Sequence, residues 1–276
     1  MKRVLLVLSD IHARSTVAVC PPKVRLDDGG TYQASTAQQW LYRNWCDFWE
    51  RSAKARRKAD WCGLLLNGDA FDGDHHNTGQ LITRNPATEQ KILWDLLAPA
   101  LDLKLHQVIV VRGTESHVGK EGAAEEEFAR TLSGKVEVAQ DPETGDYSWW
   151  HYRGDIGPCR LDATHHGKTG HLPWTKPAAT QRLAAQIFYE HATRGWRHPD
   201  LCIRSHFHQL GDSYDAHPTR VIQTGAWQLK TAYVHAKAPE GLADIAGLIV
   251  TITDHGPVEV EKVHYHPDPP TVMEVA

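Results

Sequence analysis

The sequence has few cysteines, no long apolar run and no surplus of positive charge. Its five cysteines, Cys20, Cys46, Cys62, Cys159 and Cys202, are odd in number, widely spaced and form no C-x-x-C pair. That pattern argues against a disulfide framework and against a thiolate zinc site. Free, mostly buried thiols in a reducing cytosol are expected instead. No stretch approaches the roughly 18 apolar residues that a membrane span needs. The apolar run at residues 4–8 is too short for the core of a secretory signal. A cytoplasmic chain without a membrane partner is therefore the expectation. With 30 Lys and Arg against 34 Asp and Glu, the formal net charge is −4, so a uniformly basic nucleic-acid-binding face is not expected. The chain has no G-x-x-x-x-G-K phosphate loop, no H-x-H-x-D-H motif and no internal repeat. Its 41% hydrophobic and 23% charged residues exclude a disordered chain, a collagen-like repeat and a coiled coil.

What the sequence does have is histidine. Eighteen are dispersed along 276 residues, beside ten tryptophans. Histidine in such numbers points to metal ligation or proton transfer. Position along the chain makes that reading specific. Apolar runs at 4–8, 62–67, 106–111, 159–164 and 201–205 read as buried strands, followed by strands at 219–224, 245–253 and 257–265 with a turn at 254–256. Ser35 with Gln38 reads as a capping box opening a helix that runs to about residue 58. Leu41, Trp45, Phe48 and Trp49 form its apolar stripe. Further helices are expected after Pro86, at 121–132 and at 178–192. Strands and helices alternate, so the chain reads as one α/β domain, 1–276. Surface insertions are expected near 13–34 and 140–158, and a loose tail at 267–276. The basic stretch at 51–58 has two readings, a solvated helix end or a phosphate-backbone contact. Trp40, Trp45 and Trp49 lie at helical spacing and are expected in the core rather than on a stacking platform.

Five consecutive strand-like runs end in chemistry-bearing residues. Asp10 and His12 follow the first, Gly68-Asp69 the second, and Gly113-Thr114-Glu115-Ser116-His117 the third. His165-His166-Gly167 follows the fourth and His206-Phe207-His208 the fifth. Ligands of open α/β sheets bind outside the carboxyl ends of the strands. Imidazole and carboxylate together suit Zn²⁺, Fe and Mn²⁺ without any thiolate. The set is too large for one tetrahedral zinc but sufficient for two metals sharing a carboxylate. Asp69 is the natural bridge, because Gly68 lets the backbone approach closely. Paired metals stabilise the attacking and leaving oxygens of a displacement at phosphorus, a bridging hydroxide attacks in line, and a nearby histidine protonates the leaving oxygen.

The ordered set Asp10-x-His12, Gly68-Asp69, Gly113-x-x-x-His117, His165 and His206-x-His208 resembles the calcineurin-like metallophosphoesterases over most of residues 4–210. The resemblance implies a four-layer α/β/β/α sandwich that hydrolyses phosphate esters, with phosphodiesters favoured. It implies two divalent ions (Mn, Fe, Zn or Ni), with Asp10, His12 and His208 on one, Asp69 bridging, and His165 and His206 on the other. His165 is preferred over His166 because it comes first after its strand. The third motif departs from the family pattern Gly-Asn-His-Asp/Glu and is similar to phage and bacterial variants. Two alignments stay open there: Ser116-His117 stands for Asn-His, or Glu115 supplies the missing oxygen ligand. A carboxylate is the better ligand, so Glu115 is preferred, with His117 as the acid. Asn67, Arg112, His76 and His166 are candidate substrate contacts, with Asp72, Asp74 and His75 as neighbours of the site. A nuclease acting on DNA or RNA is a narrower form of the same chemistry. A non-catalytic metal-bound scaffold for a protein partner is the reading from another class, although no specific protein partner is implied.

Overall fold

The apolar run at residues 4–8 forms most of strand β1 (Lys2–Leu8), buried from Val4 onward. In this computed structural model, which describes residues 1–73, 79–170, 173–237 and 241–267, it is followed by β2 (Lys23–Arg25), β3 (Thr31–Gln33), α1 (Thr36–Arg56), β4 (Trp61–Asn67), α2 (Pro86–Asp102) and β5 (Gln107–Val111). Next come α3 (Glu115–Val118), α4 (Ala123–Leu132), β6 (Tyr152–Ile156), β7 (Cys159–His166) and α5 (Lys176–Thr193). The chain continues through β8 (Leu201–Ser205), β9 (Gly211–Asp212), β10 (Arg220–Gln223), α6 (Ala232–Lys237), β11 (Ile245–Thr253) and β12 (Glu259–Tyr265).

Two five-stranded sheets result, ordered β12-β11-β1-β4-β5 and β6-β7-β8-β10-β9. In the first, β1, β4 and β5 run parallel. In the second, β7, β8 and β10 do. Side chains alternate across a strand, and both faces of these strands are apolar because both are covered. Leu5, Val7, Leu65 and Ile109 meet Leu161, Ala163, Ile203 and Ile222 between the sheets. The opposite face of the first sheet, Leu6, Leu8, Leu64 and Leu66, packs on Trp45, Phe48, Leu93, Leu96 and Phe128 from α1, α2 and α4. Ala184 of α5 covers Cys202 and Val221 on the outer face of the second sheet. The architecture is the expected α/β/β/α sandwich.

Helix α1 starts where expected. The Gln38 N–H donates to Ser35 Oγ at 3.2 Å, and the Ser35 N–H donates to Gln38 Oε1 at 3.1 Å. Trp45 donates its indole N–H to the Leu96 carbonyl at 2.9 Å, and Trp40 lies partly buried against the same core. At the basic end, Arg51 pairs with Asp47 and Glu261, and Arg56 donates to the carbonyls of Leu103 and Ala59. These cations are held by the protein itself. The five cysteines are free, and burial pushes the thiols of Cys20, Cys159 and Cys202 up to about 12. Among the described residues, no helix is long and apolar enough to cross a membrane.

Three segments differ from expectation. Residues 13–20 are not a surface loop. Ala13, Ser15, Ala18, Val19 and Cys20 are buried, because Val19 and Thr16 donate to the carbonyls of Trp227 and Gln80. Only the β2–β3 hairpin beyond them is largely exposed. The stretch at 140–158 contributes β6, an edge strand. Helix α4 begins at Ala123 rather than 121, since Glu121 (φ 59°) and Gly122 (φ 70°) are left-handed. Residues 268–276 of the expected tail lie outside the described residues.

Leu65 is fully buried between the sheets. Leu65→Ala should cost about 2–5 kcal/mol of unfolding free energy, measured by urea denaturation. A loss below about 1 kcal/mol would contradict the inter-sheet core described here.

Candidate metal centre

Beyond their last paired residues, the loops after β1 and β4 remain hydrogen-bonded to each other. Asp10 N–H donates to Gly68 O (3.0 Å), His12 N–H to Asp69 O (3.0 Å) and Ala13 N–H to Ala70 O (2.9 Å). This continuation requires left-handed backbone at Asp10 (φ 51°), His12 (49°) and Asp69 (51°). Gly68 (φ 86°) leaves space that the His165 ring fills, since a Cβ there would run into that ring. After β8, His206 (φ 78°) and His208 (φ 53°) are left-handed as well. A shift in register between β7 and β8 at residues 163–166 buries His165 and leaves its neighbour His166 exposed.

Six side chains from these four strand ends converge. His12 Nε2 lies 3.1 Å from His208 Nε2. Asp10 Oδ1 lies 3.3 Å from His208 Nε2 and 3.9 Å from the Nε2 atoms of both His12 and His165. His165 Nε2 lies 2.9 Å from Asp69 Oδ2. Candidate ligand atoms within 4.8 Å of one another fall into three sets: Asp10, His12 and His208; Asp69, His165 and His206; and His12, Asp72 and His117. Asp69 belongs to the second set, and the carboxylate oxygen in reach of both of the first two sets is Asp10 Oδ1.

Asp10, His165 and His206 are each aimed by their other polar atom, as metal ligands commonly are. Asp10 Oδ2 accepts from Ser9 Oγ (2.5 Å) and the His206 N–H (3.3 Å), whereas Oδ1 is buried with no hydrogen bond. His165 Nδ1 donates to the Asn67 carbonyl at 2.8 Å, so Nε2 faces Asp69. His206 Nδ1 meets Thr114 Oγ1 at 3.1 Å. Asp10, His12, Asp69 and His165 are all at most 1% exposed. Among the described residues, Asp10 and Asp69 form ion pairs with histidines and with no Lys or Arg. Two buried carboxylates therefore depend on positive charge supplied inside the cluster. Burial alone pushes His165 down, but the Asp69 and Asp10 carboxylates outweigh it and hold His165 at about 10. Burial raises Asp69, yet His165 keeps it well below the usual carboxylate range. Burial and repulsion from His165 lower His206 to about 4. The donor set thus fits divalent cations: an orphaned carboxylate oxygen and imidazole nitrogens facing it and one another.

The third motif differs from expectation. Glu115 is exposed as the first residue of α3 and lies outside all three sets. Helix α3 starts there and carries its carboxylate to the surface. Ser116 lines the cavity mouth but is likewise exposed. The residue that faces the cluster is Thr114. Its N–H donates to Asp69 Oδ1 (2.6 Å), and its Oγ1 lies 3.3 Å from Asp69 Oδ2 and 3.5 Å from His166 Nε2. Thr114 directly follows Gly113, and that adjacency was the available signal. His117 sits beside the cluster with Nδ1 3.0 Å from Asp72 Oδ1 and its ring edge-on to His12 at 4.6 Å. Burial pushes His117 down, but the hydrogen bond to Asp72 and the nearby carboxylates raise it overall. Asp72 Oδ1 also lies 3.3 Å from His12 Nδ1, and Arg14 donates to the Asp72 carbonyl at 2.6 Å.

Two expected substrate contacts serve the scaffold. Arg112 is buried, donating to Ser148 Oγ (2.8 Å) and pairing with Asp146 (2.7 Å). Asn67 is buried and donates to the Thr164 carbonyl (3.0 Å) and Ser205 Oγ (2.6 Å), tying β4 to β7 and β8. Asp74, His75 and His76 lie outside the described residues. Glu125 of α4, which no motif marked, accepts from the Ala70 N–H (3.0 Å) and the Gly113 N–H (2.6 Å). It clamps the loops after β4 and β5, and burial pushes it up to about 7.

No protein-family model matches the chain, and no curated protein does. Solved structures it is similar to include a single mutant of Vps29 from Entamoeba histolytica, at 14% identity over 95% of this chain and 99% of that one, with a TM-score of 0.41. A dimetal phosphatase from Danio rerio gives 10% identity over 95% and 99%, with a TM-score of 0.41. Protein PH1004 from Pyrococcus horikoshii gives 9% over 96% and 89%, with a TM-score of 0.43. Likenesses this remote say nothing about activity, and the fold assignment rests on the sheet order and packing above.

Arg112→Ala should destabilise the chain by about 1–3 kcal/mol in urea denaturation and leave its bound-metal content as in the wild type. Unchanged stability would return Arg112 to the candidate substrate contacts.

Proposed function

We propose that this chain is a two-metal phosphoesterase of the calcineurin-like kind, acting on phosphodiesters in preference to monoesters. The convergence of six buried or half-buried Asp and His side chains on one point, five of them on left-handed backbone, carries this reading. Non-glycine residues rarely adopt that backbone, and such strain clusters at functional sites. Asp10, His12 and His208 would hold one cation and Asp69, His165 and His206 the other, with Asp10 Oδ1 in reach of both sets. Mn, Fe, Zn and Ni all suit these donors. Two bound cations supply Lewis acidity to a phosphoryl oxygen and make water nucleophilic near neutral pH.

The chain's own residues do the rest. Thr114 fixes Asp69 through its N–H and hydroxyl. Asp72 holds His117 through Nδ1, and the imidazole would deliver a proton to the departing oxygen. The same carboxylate keeps His117 protonated to higher pH, which suits a general acid. His166, exposed and 3.5 Å from Thr114 Oγ1, would contact the phosphate of a substrate.

Elemental analysis and turnover of an aryl phosphodiester test this together. Asp69→Asn should lose metal and activity at once; full turnover in that variant would overturn the reading. His117→Ala should keep its metal and lose about 10²–10⁴ in kcat, most with poor leaving groups. A general acid must be protonated, so activity falls as pH rises through the pKa of His117. Asp72→Asn removes the charge that raises that pKa, so the basic limb of the kcat/KM profile should move to lower pH. A limb that stays in place would remove His117 from the acid role.

A further inference from the structure

The metal cluster opens into a cavity of about 490 Å³, bounded on one side by His12, Asp69, His206 and His208. That volume lies in the range of pockets for whole organic ligands of roughly 300–1,000 Å³, so a phosphoryl group fills only part of it. Beyond the cluster much of the lining is apolar, from Phe207, Leu229, Tyr233, Val234 and Leu242, with Gln209, Gln228, Lys230 and Thr231 between them. Phe207 and Leu242 are 40% and 60% exposed. Large apolar groups left in water on one wall of a cavity need a cover. Phe207 sits between the two ligands of H-x-H, its ring edge-on to His206 at 5.1 Å. A group covering Phe207 would therefore lie directly beside the cluster. Lys230 is the one Lys or Arg among the described residues that line the cavity. Tracking a nucleic-acid strand takes a row of cations as well as aromatic platforms, and this wall offers only the platforms.

Resting on the phosphoesterase reading, we propose that this wall is the subsite for the organic substituent of the substrate, a planar aromatic group on a small phosphodiester. Phe207, Tyr233 and Leu242 then act as specificity residues, and the cluster handles only the phosphate.

Two diesters with the same leaving group separate these roles, bis(4-nitrophenyl) phosphate and methyl 4-nitrophenyl phosphate. After correction for its two leaving groups, the bis-aryl ester should be favoured by about tenfold in kcat/KM, as for apolar pocket contacts. Phe207→Ala and Leu242→Ser should each bring the ratio towards one, chiefly through KM. Calorimetric binding of phenylphosphonate and methylphosphonate to the chain as purified gives a readout independent of turnover. The phenyl compound should bind about tenfold tighter, and Leu242→Ser should abolish the difference. Equal affinities, a preference surviving in both variants, or turnover confined to oligonucleotides would overturn the proposal. Equal turnover of both diesters would sink the aromatic subsite and leave the phosphoesterase standing. A phenyl preference that Leu242→Ser abolishes, with neither diester hydrolysed, would do the reverse.

Discussion

Three backbone hydrogen bonds past the ends of β1 and β4 hold this structure's chemistry in place. By pairing Asp10 with Gly68, His12 with Asp69 and Ala13 with Ala70, they bring the two loops together and set two carboxylates at one point. The arrangement is costly. Left-handed residues such as Asp10, His12 and Asp69 cost on the order of 1 kcal/mol or more each, and buried carboxylates cost more unless they are paired. The apolar packing between and outside the sheets supplies the compensating stability. Glu125, Asn67 and Arg112 pin the surrounding loops and strand ends.

The cluster's charge follows from that geometry. With no Lys or Arg paired to Asp10 or Asp69 among the described residues, those two carboxylates push His165 towards its protonated form. Metal ligands must be deprotonated, so metal binding exchanges protons for cations. Asp72 stands one layer out, touching both His12 and His117. It couples the orientation of an expected ligand to that of the expected acid.

Much of this was legible in the sequence because strand ends are marked by abrupt changes from apolar to polar residues. Val4–Leu8 followed by Asp10, and Leu64–Leu66 followed by Gly68-Asp69, placed the first two strands and the polar residues at their ends. Which of these residues would share a cation came from the family resemblance. What the sequence could not reveal depends on local backbone geometry. Glu115 looked like the better oxygen ligand on chemistry alone, yet a single turn of helix takes it to solvent and leaves Thr114 against Asp69. Arg112 and Asn67 occupy strand ends, as site residues do, but their side chains turn to Ser148, Asp146 and Ser205. The clamp by Glu125 spans 55 residues to Ala70 and has no local signature.

The central claim is that the cluster is built for two cations and uses a proton on His165 in their place. Titration of the metal-free chain with Mn²⁺ or Zn²⁺ at neutral pH, repeated in buffers of different ionisation enthalpy, measures ions bound and protons released together. The account predicts two ions per chain with net proton release, and with His165→Ala fewer ions and fewer protons. Binding of no ion, or of two ions with no proton released, would contradict it.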